Sequence, residues 1–241
     1  INFTSNIDIL KNIEKSKIKK FFYKKKLLYS KNIELVNSRT HDIFFEKKID
    51  TSKEDQITFL DFNINHEIQI SLRGNLSEEH INRYYNNLIN FLNDISKIFD
   101  KKIVVCIHPR DNLEVKKKIF KDFRVLQNVT SENITKSFLV VFFESSAIID
   151  AVLTKKRIIT LVSNDLDENM LNGSNIYRDR LGITQIHLEN YKNIEKIKLT
   201  EELNDNIKNY DKYIKDNISP VGNEIGYKKI FKILKENFFN N

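Results

Sequence analysis

Cysteine, glycine and proline are scarce in this chain, and each scarcity removes a class of explanation. The single cysteine, Cys106, has no partner for an internal disulfide, so the chain reads as cytosolic or facing the cytosol. It sits inside the apolar run IVVCI, where a small buried hydrophobe is its expected role. With only five glycines, the common phosphate loops are absent: neither G-x-x-x-x-G-K-[ST] nor G-x-G-x-x-G occurs. The G-x-S-x-G elbow of serine hydrolases is missing too. The five histidines (41, 66, 80, 108 and 187) lack Cys partners and H-E-x-x-H spacing, so no metal is expected. No apolar stretch approaches the roughly 20 residues a membrane helix needs, and the opening residues show no signal-peptide pattern.

What is present suits a globular protein. A hydrophobic share of 40%, with 17 Phe and 9 Tyr in 241 residues, is enough for one substantial core. The balance of 40 Lys plus Arg over 33 Asp plus Glu gives +7. Lys, Asn and Ile crowd the whole chain, as AT-rich coding produces, so this charge does not point to nucleic acid. The densest basic run, Lys17 to Lys26, is expected to be a solvated helix face, with contact to phosphates or anionic lipid headgroups as the other reading. A basic surface also suits an anionic nucleotide. The chain opens on Ile1 without a strand-rich pattern of its own, so residues 1–55 are expected to be the remnant or linker of a missing N-terminal domain. Residues 56–241 are expected to form the main domain.

Residues 5–29 have a weak helical spacing, and Ile33–Val36 and Ile57–Phe62 read as short strands. A loop is expected over 63–75. Ser77, followed by apolar residues from Ile81 to Phe99 at helical spacing, predicts a helix of more than five turns. Ile103–Ile107 is a continuous apolar run, as in a strand buried on both faces of a parallel sheet. The alternation then repeats: a helix over Leu113–Lys121, a strand over Arg124–Gln127, a turn or short helix over Ser131–Lys136, and a strand over Phe138–Phe143. A helix from Ser146 to about Thr154 leads to the strand Ile158–Val162. Residues 165–172 and 176–181 read as loop with helical turns, and Gln185–Leu188 as a last strand. Two helices close the chain, the second over Glu224–Phe238 after a break at Pro220-Val221-Gly222. The fold class is α/β, a doubly wound, Rossmann-like parallel sheet with a helical C-terminus.

Ligands of such sheets bind at the carboxyl ends of the strands. After IVVCI comes His108-Pro109-Arg110. Pro109 stops the strand, leaving His108 at the crevice and Arg110 able to meet an anion in bidentate fashion. After LVVFF comes Glu144-Ser145-Ser146, where two serines at a helix start offer hydroxyls beside free backbone N–H groups, a cradle for phosphate. A capped strand end and a serine N-cap explain either cluster singly. Two clusters closing neighbouring strands of one sheet favour a ligand site.

At these residues the sequence resembles the C-terminal, donor-binding half of bacterial GT-B glycosyltransferases of surface-polysaccharide synthesis. That group holds sialyltransferases, Kdo transferases and, more distantly, CDP-glycerol glycerophosphotransferases. The elements that carry the resemblance are IVVCIHPR, FFESSAIIDAVL and KKRIITLVSND, within about Ile57–Leu188, with a weaker extension to NSRTHDIFFEK. Arg157 stands where the pattern has Pro. The resemblance implies that His108 and the pair Ser145/Ser146 meet the donor nucleotide and its phosphate, with Pro109, Arg110 and Glu144 lining the site.

The function so implied is an inverting, metal-independent glycosyltransferase that needs no cofactor. It would pass a sugar, foremost an acidic sugar from a CMP-activated donor, to a glycan or lipid-linked acceptor of the cell surface. The expected place is the cytoplasm, including a peripheral position at the inner membrane face. His108 and the serines would neutralise the departing nucleotide, and a carboxylate would deprotonate the acceptor; Asp61 and Asp42 are the candidates in this chain. Two other readings stay open: transfer of a polyol phosphate from a CDP-linked donor, and a non-catalytic nucleotide-binding or scaffolding module.

Overall fold

The computed structural model describes residues 2–4, 33–47, 54–62, 64, 76–166, 168–192 and 194–238. They divide into two compact units, residues 50–209 and the paired segments 1–49 and 210–241. The expected helix over 5–29, the basic run Lys17–Lys26 and all of the expected loop 63–75 except Ile64 lie outside the described residues.

The smaller unit opens with β1 (Asn2–Thr4) paired in parallel with β2 (Ile33–Leu35), followed by helix α1 (Arg39–Lys47). The larger unit then runs β3 (Gln56–Leu60), α2 (Glu78–Phe99), β4 (Lys102–Ile107), α3 (Leu113–Ile119), β5 (Arg124–Gln127), α4 (Thr130–Thr135), β6 (Ser137–Phe142), α5 (Ile148–Leu153), β7 (Arg157–Val162), α6 (Glu168–Leu181), β8 (Thr184–His187) and α7 (Lys196–Ile207). Its six strands form one sheet in the order β5-β4-β3-β6-β7-β8, and every pairing is parallel. Counted from β3, that is the order 3-2-1-4-5-6 of the doubly wound dinucleotide-binding fold.

The central strands are apolar without alternation because helices cover both faces. Ile57, Phe59, Ile103, Val105, Leu139, Val141, Ile159 and Leu161 join one core cluster with residues of α2 and α7. The opposite face carries more polar residues: Thr58 bonds the carbonyl of Asn133 in α4, and the hydroxyls of Thr160 and Ser174 lie 2.8 Å apart between β7 and α6. Cys106, buried on β4, has its thiol pushed up to about 12 by desolvation, which makes it the inert small hydrophobe its surroundings imply.

Helix α2 begins where capping chemistry places it, with the Ser77 side chain accepting from the His80 backbone N–H at 3.3 Å. It buries Tyr84, Tyr85, Leu88, Phe91, Leu92, Ile95 and Phe99, each worth roughly 1.5–3 kcal/mol of apolar burial. It ends at Asp100, whose φ of 52° is left-handed and whose neighbour Lys101 donates its N–H back to Ser96 O at 3.1 Å. Helix α6 is the main departure from the sequence pattern, a continuous helix over Glu168–Leu181 where loop with helical turns is expected. Its inward positions include Gly173 and Ser174, and Ser174 is anchored by hydroxyl and amide bonds to Thr160 and Gln185. A face of small polar residues produces no apolar periodicity to read.

The chain re-enters the smaller unit at Tyr210 with α8 (Tyr210–Tyr213), a π-helical turn (Ile214–Ile218) and α9 (Gly226–Phe238). The sequence pattern groups this segment with residues 56–209; in the structure it groups with residues 1–49. Asn37 holds the turn before α9, donating to the carbonyls of Gly222 and Glu224, each at 2.6 Å.

One test of the caps is Asp100→Gly. Removing the Cβ from a left-handed position should raise stability by about 0.5–1 kcal/mol, read as a higher urea midpoint at unchanged slope.

Candidate functional site

Register fixes the geometry of the crevice. Leu60 of β3 stands level with Cys106 of β4 on one side and with Phe142 of β6 on the other. Two residues further along each strand come Phe62, His108 and Glu144, at one height along the carboxyl edge. The two polar clusters therefore do not close adjacent strands, as the sequence suggests; β3 separates them. Two strand spacings, about 10 Å, separate their backbones. The chain turns at β3 from building the sheet one way to building it the other, the switch point at which such folds bind ligands.

The His108 cluster is a β-turn. Asp111 donates its N–H to His108 O at 2.9 Å, with Pro109 at the second position, which its fixed φ favours. The Arg110 N–H donates to His108 Nδ1 at 3.2 Å, so a neutral imidazole carries its hydrogen on Nε2. Asn112 follows at once as the cap of α3, its side chain accepting from Glu114 and Val115. His108, Pro109 and Arg110 are exposed. From the neighbouring strand end, the Gln127 amide nitrogen reaches the carbonyls of His108, Pro109 and Asp111 at 3.3, 3.2 and 2.9 Å. Nothing in a lone sequence marks Gln127, a polar residue at the end of an edge strand.

The serine cluster differs from expectation at its helix. Helix α5 starts at Ile148 and has six residues, rather than starting at Ser146. The Ser145 hydroxyl accepts from the Ala147 N–H at 3.3 Å, and the Ser145 carbonyl from Ile148 N–H at 3.3 Å. Such local serine bonds compete with helix formation, so the pair forms a turn ahead of the helix. A helix this short contributes little dipole. Whatever the serines offer a ligand comes from their hydroxyls and the backbone of the turn. Glu144 lies across Gly173 of α6: a Cβ there would stand 2.7 Å from the Glu144 carboxyl carbon. Glycine at 173 makes room for that carboxylate beside the crevice.

Next along the edge, Glu189 after β8 accepts from the Ser163 hydroxyl at 2.6 Å and the Asn164 N–H at 3.0 Å, and Asp165 takes the Arg83 guanidinium at 2.8 Å. These carboxylates tie the loops after β7 and β8 to their surroundings. Among the described residues no group of three His, Cys, Asp or Glu could hold a metal ion, and no helix is long and apolar enough to cross a membrane.

Asp61 and Asp42 sit in different settings. Asp61 follows β3 on the α2 face with a fully buried side chain, and Lys116 of α3 places its ammonium 2.6 Å from Oδ2. Desolvation raises its carboxyl to about 6, against the lowering pull of Lys116. Asp42 lies in the smaller unit, where its two oxygens accept from the N–H groups of Gly226 and Tyr227 at 2.9 and 3.2 Å, and His41 Nδ1 is 3.4 Å away. It caps α9.

No protein-family model matches the chain, and no curated protein matches it. Among solved structures it is similar to the UDP-GlcNAc 2-epimerase of Methanocaldococcus jannaschii in complex with UDP-GlcNAc and UDP, at 18% identity and a TM-score of 0.46, covering 92% of this chain and 60% of that one. It is also similar to S. aureus MnaA with UDP, at 14% identity and a TM-score of 0.47, over 86% and 54% of the two chains. The spinosyn rhamnosyltransferase SpnG matches at 9% identity and a TM-score of 0.40, over 76% and 46%. The chain thus spans 60% or less of the length of these three structures. The doubly wound assignment rests on the strand order itself.

The raised Asp61 carboxyl carries a signed prediction. Its folded value lies above the ordinary 3.8, so the stability it contributes is full below that ordinary value and is lost as pH rises through about 6. Ionised, it costs the fold on the order of 3 kcal/mol. Asp61→Asn should therefore gain stability relative to the wild type as pH is raised from about 5 to 8. Paired urea titrations across that range check it, and a pH-independent difference would contradict the assignment.

Proposed function

We propose that this chain is the donor-binding part of a GT-B-type glycosyltransferase that uses a nucleotide-activated sugar, foremost a CMP-linked acidic sugar, to extend a cell-surface glycan. The observation that carries the reading is the pair of polar turns, His108–Arg110 and Glu144–Ser146, at one height on either side of β3 at the switch point. In the resembling families the corresponding histidine and serine pair meet the donor nucleotide and its phosphate. A cytoplasmic site at the inner membrane face suits a lipid-linked acceptor.

In this reading the donor phosphate lies between the two turns. Ser145 and Ser146 offer hydroxyl donors from one side, and His108 Nε2–H and the Arg110 guanidinium offer donors from the other. The acceptor oxygen attacks the anomeric carbon as the bond from that carbon to the phosphate oxygen breaks, and configuration inverts. Charge then accumulates on the departing phosphate, where these donors stabilise it most. The acceptor's proton goes to a carboxylate other than Asp61 and Asp42. Neither Asp61, enclosed with Lys116, nor Asp42, bonded to the start of α9, offers an open carboxylate for that step.

His108→Ala should lower kcat by about a hundredfold or more while CMP affinity changes only a few-fold. Transfer assayed by mass spectrometry checks this and separates the alternatives. A sugar added to the acceptor supports the proposal; a phosphodiester product identifies polyol-phosphate transfer. CMP binding with no product from any donor identifies a non-catalytic nucleotide-binding module, and an unchanged rate in His108→Ala sinks the role given to that histidine.

A further inference from the structure

Behind the His108 turn lies a buried charge cluster that plays no part in the chemistry described above. Lys116, on α3, is 4% exposed. Its ammonium is 2.6 Å from Asp61 Oδ2, 3.6 Å from Asp111 Oδ2 and 2.6 Å from Tyr85 Oη, and it stands 5.0 Å from the Tyr85 ring centroid. One ammonium thus meets the end of β3, the last residue of the turn after β4, and helix α2. Two carboxylates compete for it. The pair with Asp61 is close, and among the described residues no other protein donor bonds either Asp61 oxygen or Asp111 Oδ2.

Burying three ionisable groups is costly, and apolar residues of similar volume often hold such elements together as well. Packing alone therefore does not explain the cluster. Its distinguishing feature is where it attaches. Asp111 closes the turn that presents His108 and Arg110, through its N–H to His108 O at 2.9 Å. A shift of Asp111 toward or away from Lys116 moves that turn from behind, while Gln127 holds its carbonyls from the side.

We propose that Lys116 is the positioning residue of the His108–Asp111 turn, and that Asp61 competes with Asp111 for its ammonium, so that protonation of Asp61 tightens the turn. The role of the turn in donor binding rests on the function proposed above; the tether itself does not. Among the described residues, the ionisable groups facing Asp61 are Lys116 and Asp111, and Tyr84 and Tyr85 from α2, whose phenols burial and the Asp61 charge push well up. The tyrosines stay neutral near neutral pH, so Asp61 is the member placed to change charge there, its carboxyl standing at about 6. When it takes a proton, the ammonium is left to Asp111.

Amide hydrogen exchange of the ligand-free full chain reads this directly, because the Asp111 N–H bonds across the turn. Its protection factor, corrected for intrinsic exchange, should rise several-fold in the wild type as pH falls from about 8 to 5. Asp61→Asn should hold the high value at both pH values, and Lys116→Met should lose about tenfold at both while the amides of β3 and β4 keep theirs. Lys116→Arg, which keeps the charge, should restore most of the loss. If Asp61→Asn follows the wild-type pH profile, the competition is refuted, and if Lys116→Met folds with unchanged Asp111 protection, so is the tether. Should Lys116→Met fail to fold, the Asp61→Asn profile still decides. Calorimetry with CMP on the same proteins forms a separate arm: absence of binding by the wild type would count against the proposed function and leave the exchange result standing.

Discussion

Parallel pairing of β4, β3 and β6 is the constraint on which the rest of the molecule depends. Strands buried on both faces have no room for unpaired polar side chains, so chemistry is displaced to their ends. Because the two outer strands register against the same residues of β3, their first polar residues emerge level with one another. Their separation across β3 is a consequence of register and topology. Its distance scale, two strand spacings, is set by backbone hydrogen bonding rather than by any side chain.

How much of this the sequence discloses depends on which interactions carry each element. Helix α2 and strands β3, β4, β6 and β7 are legible because burial dictates their composition, and the Ser77 cap marks where α2 begins. His108-Pro109-Arg110 is legible because proline both ends the strand and sets the turn. Helix α6 is not, since Ser174 joins it to the sheet through hydroxyl bonds and Gly173 leaves space for Glu144. The start of α5 is misjudged by two residues because Ser145 turns its hydroxyl to the backbone. The position of β3 between the two polar clusters needs strand order, which no local pattern contains.

Lys116 illustrates a signal present but masked. Leu113 and Lys116 of α3 and Phe120, which ends it, follow at spacings of three and four residues, so the lysine falls between two apolar neighbours, one in the core and one packed against it. Within the run Lys116-Lys117-Lys118 it looks like its solvated neighbours. Only the buried carboxylates of Asp61 and Asp111 reveal why this one points inward. The same enclosure keeps Asp61 from serving as an open base, and the α9 amides engage Asp42 in a comparable way. For the function proposed above, the described residues thus say far more about a donor side than about an acceptor side.

The central claim of the proposed function is spatial: that a nucleotide binds over the carboxyl edge of β3, between the His108 turn and the Ser145–Ser146 turn. A crystal structure of the chain with CMP tests it most directly. The account predicts phosphate density within hydrogen-bonding distance of His108 Nε2 and of the serine hydroxyls. Nucleotide bound away from both turns, in crystals where the crevice is open to solvent, would contradict it.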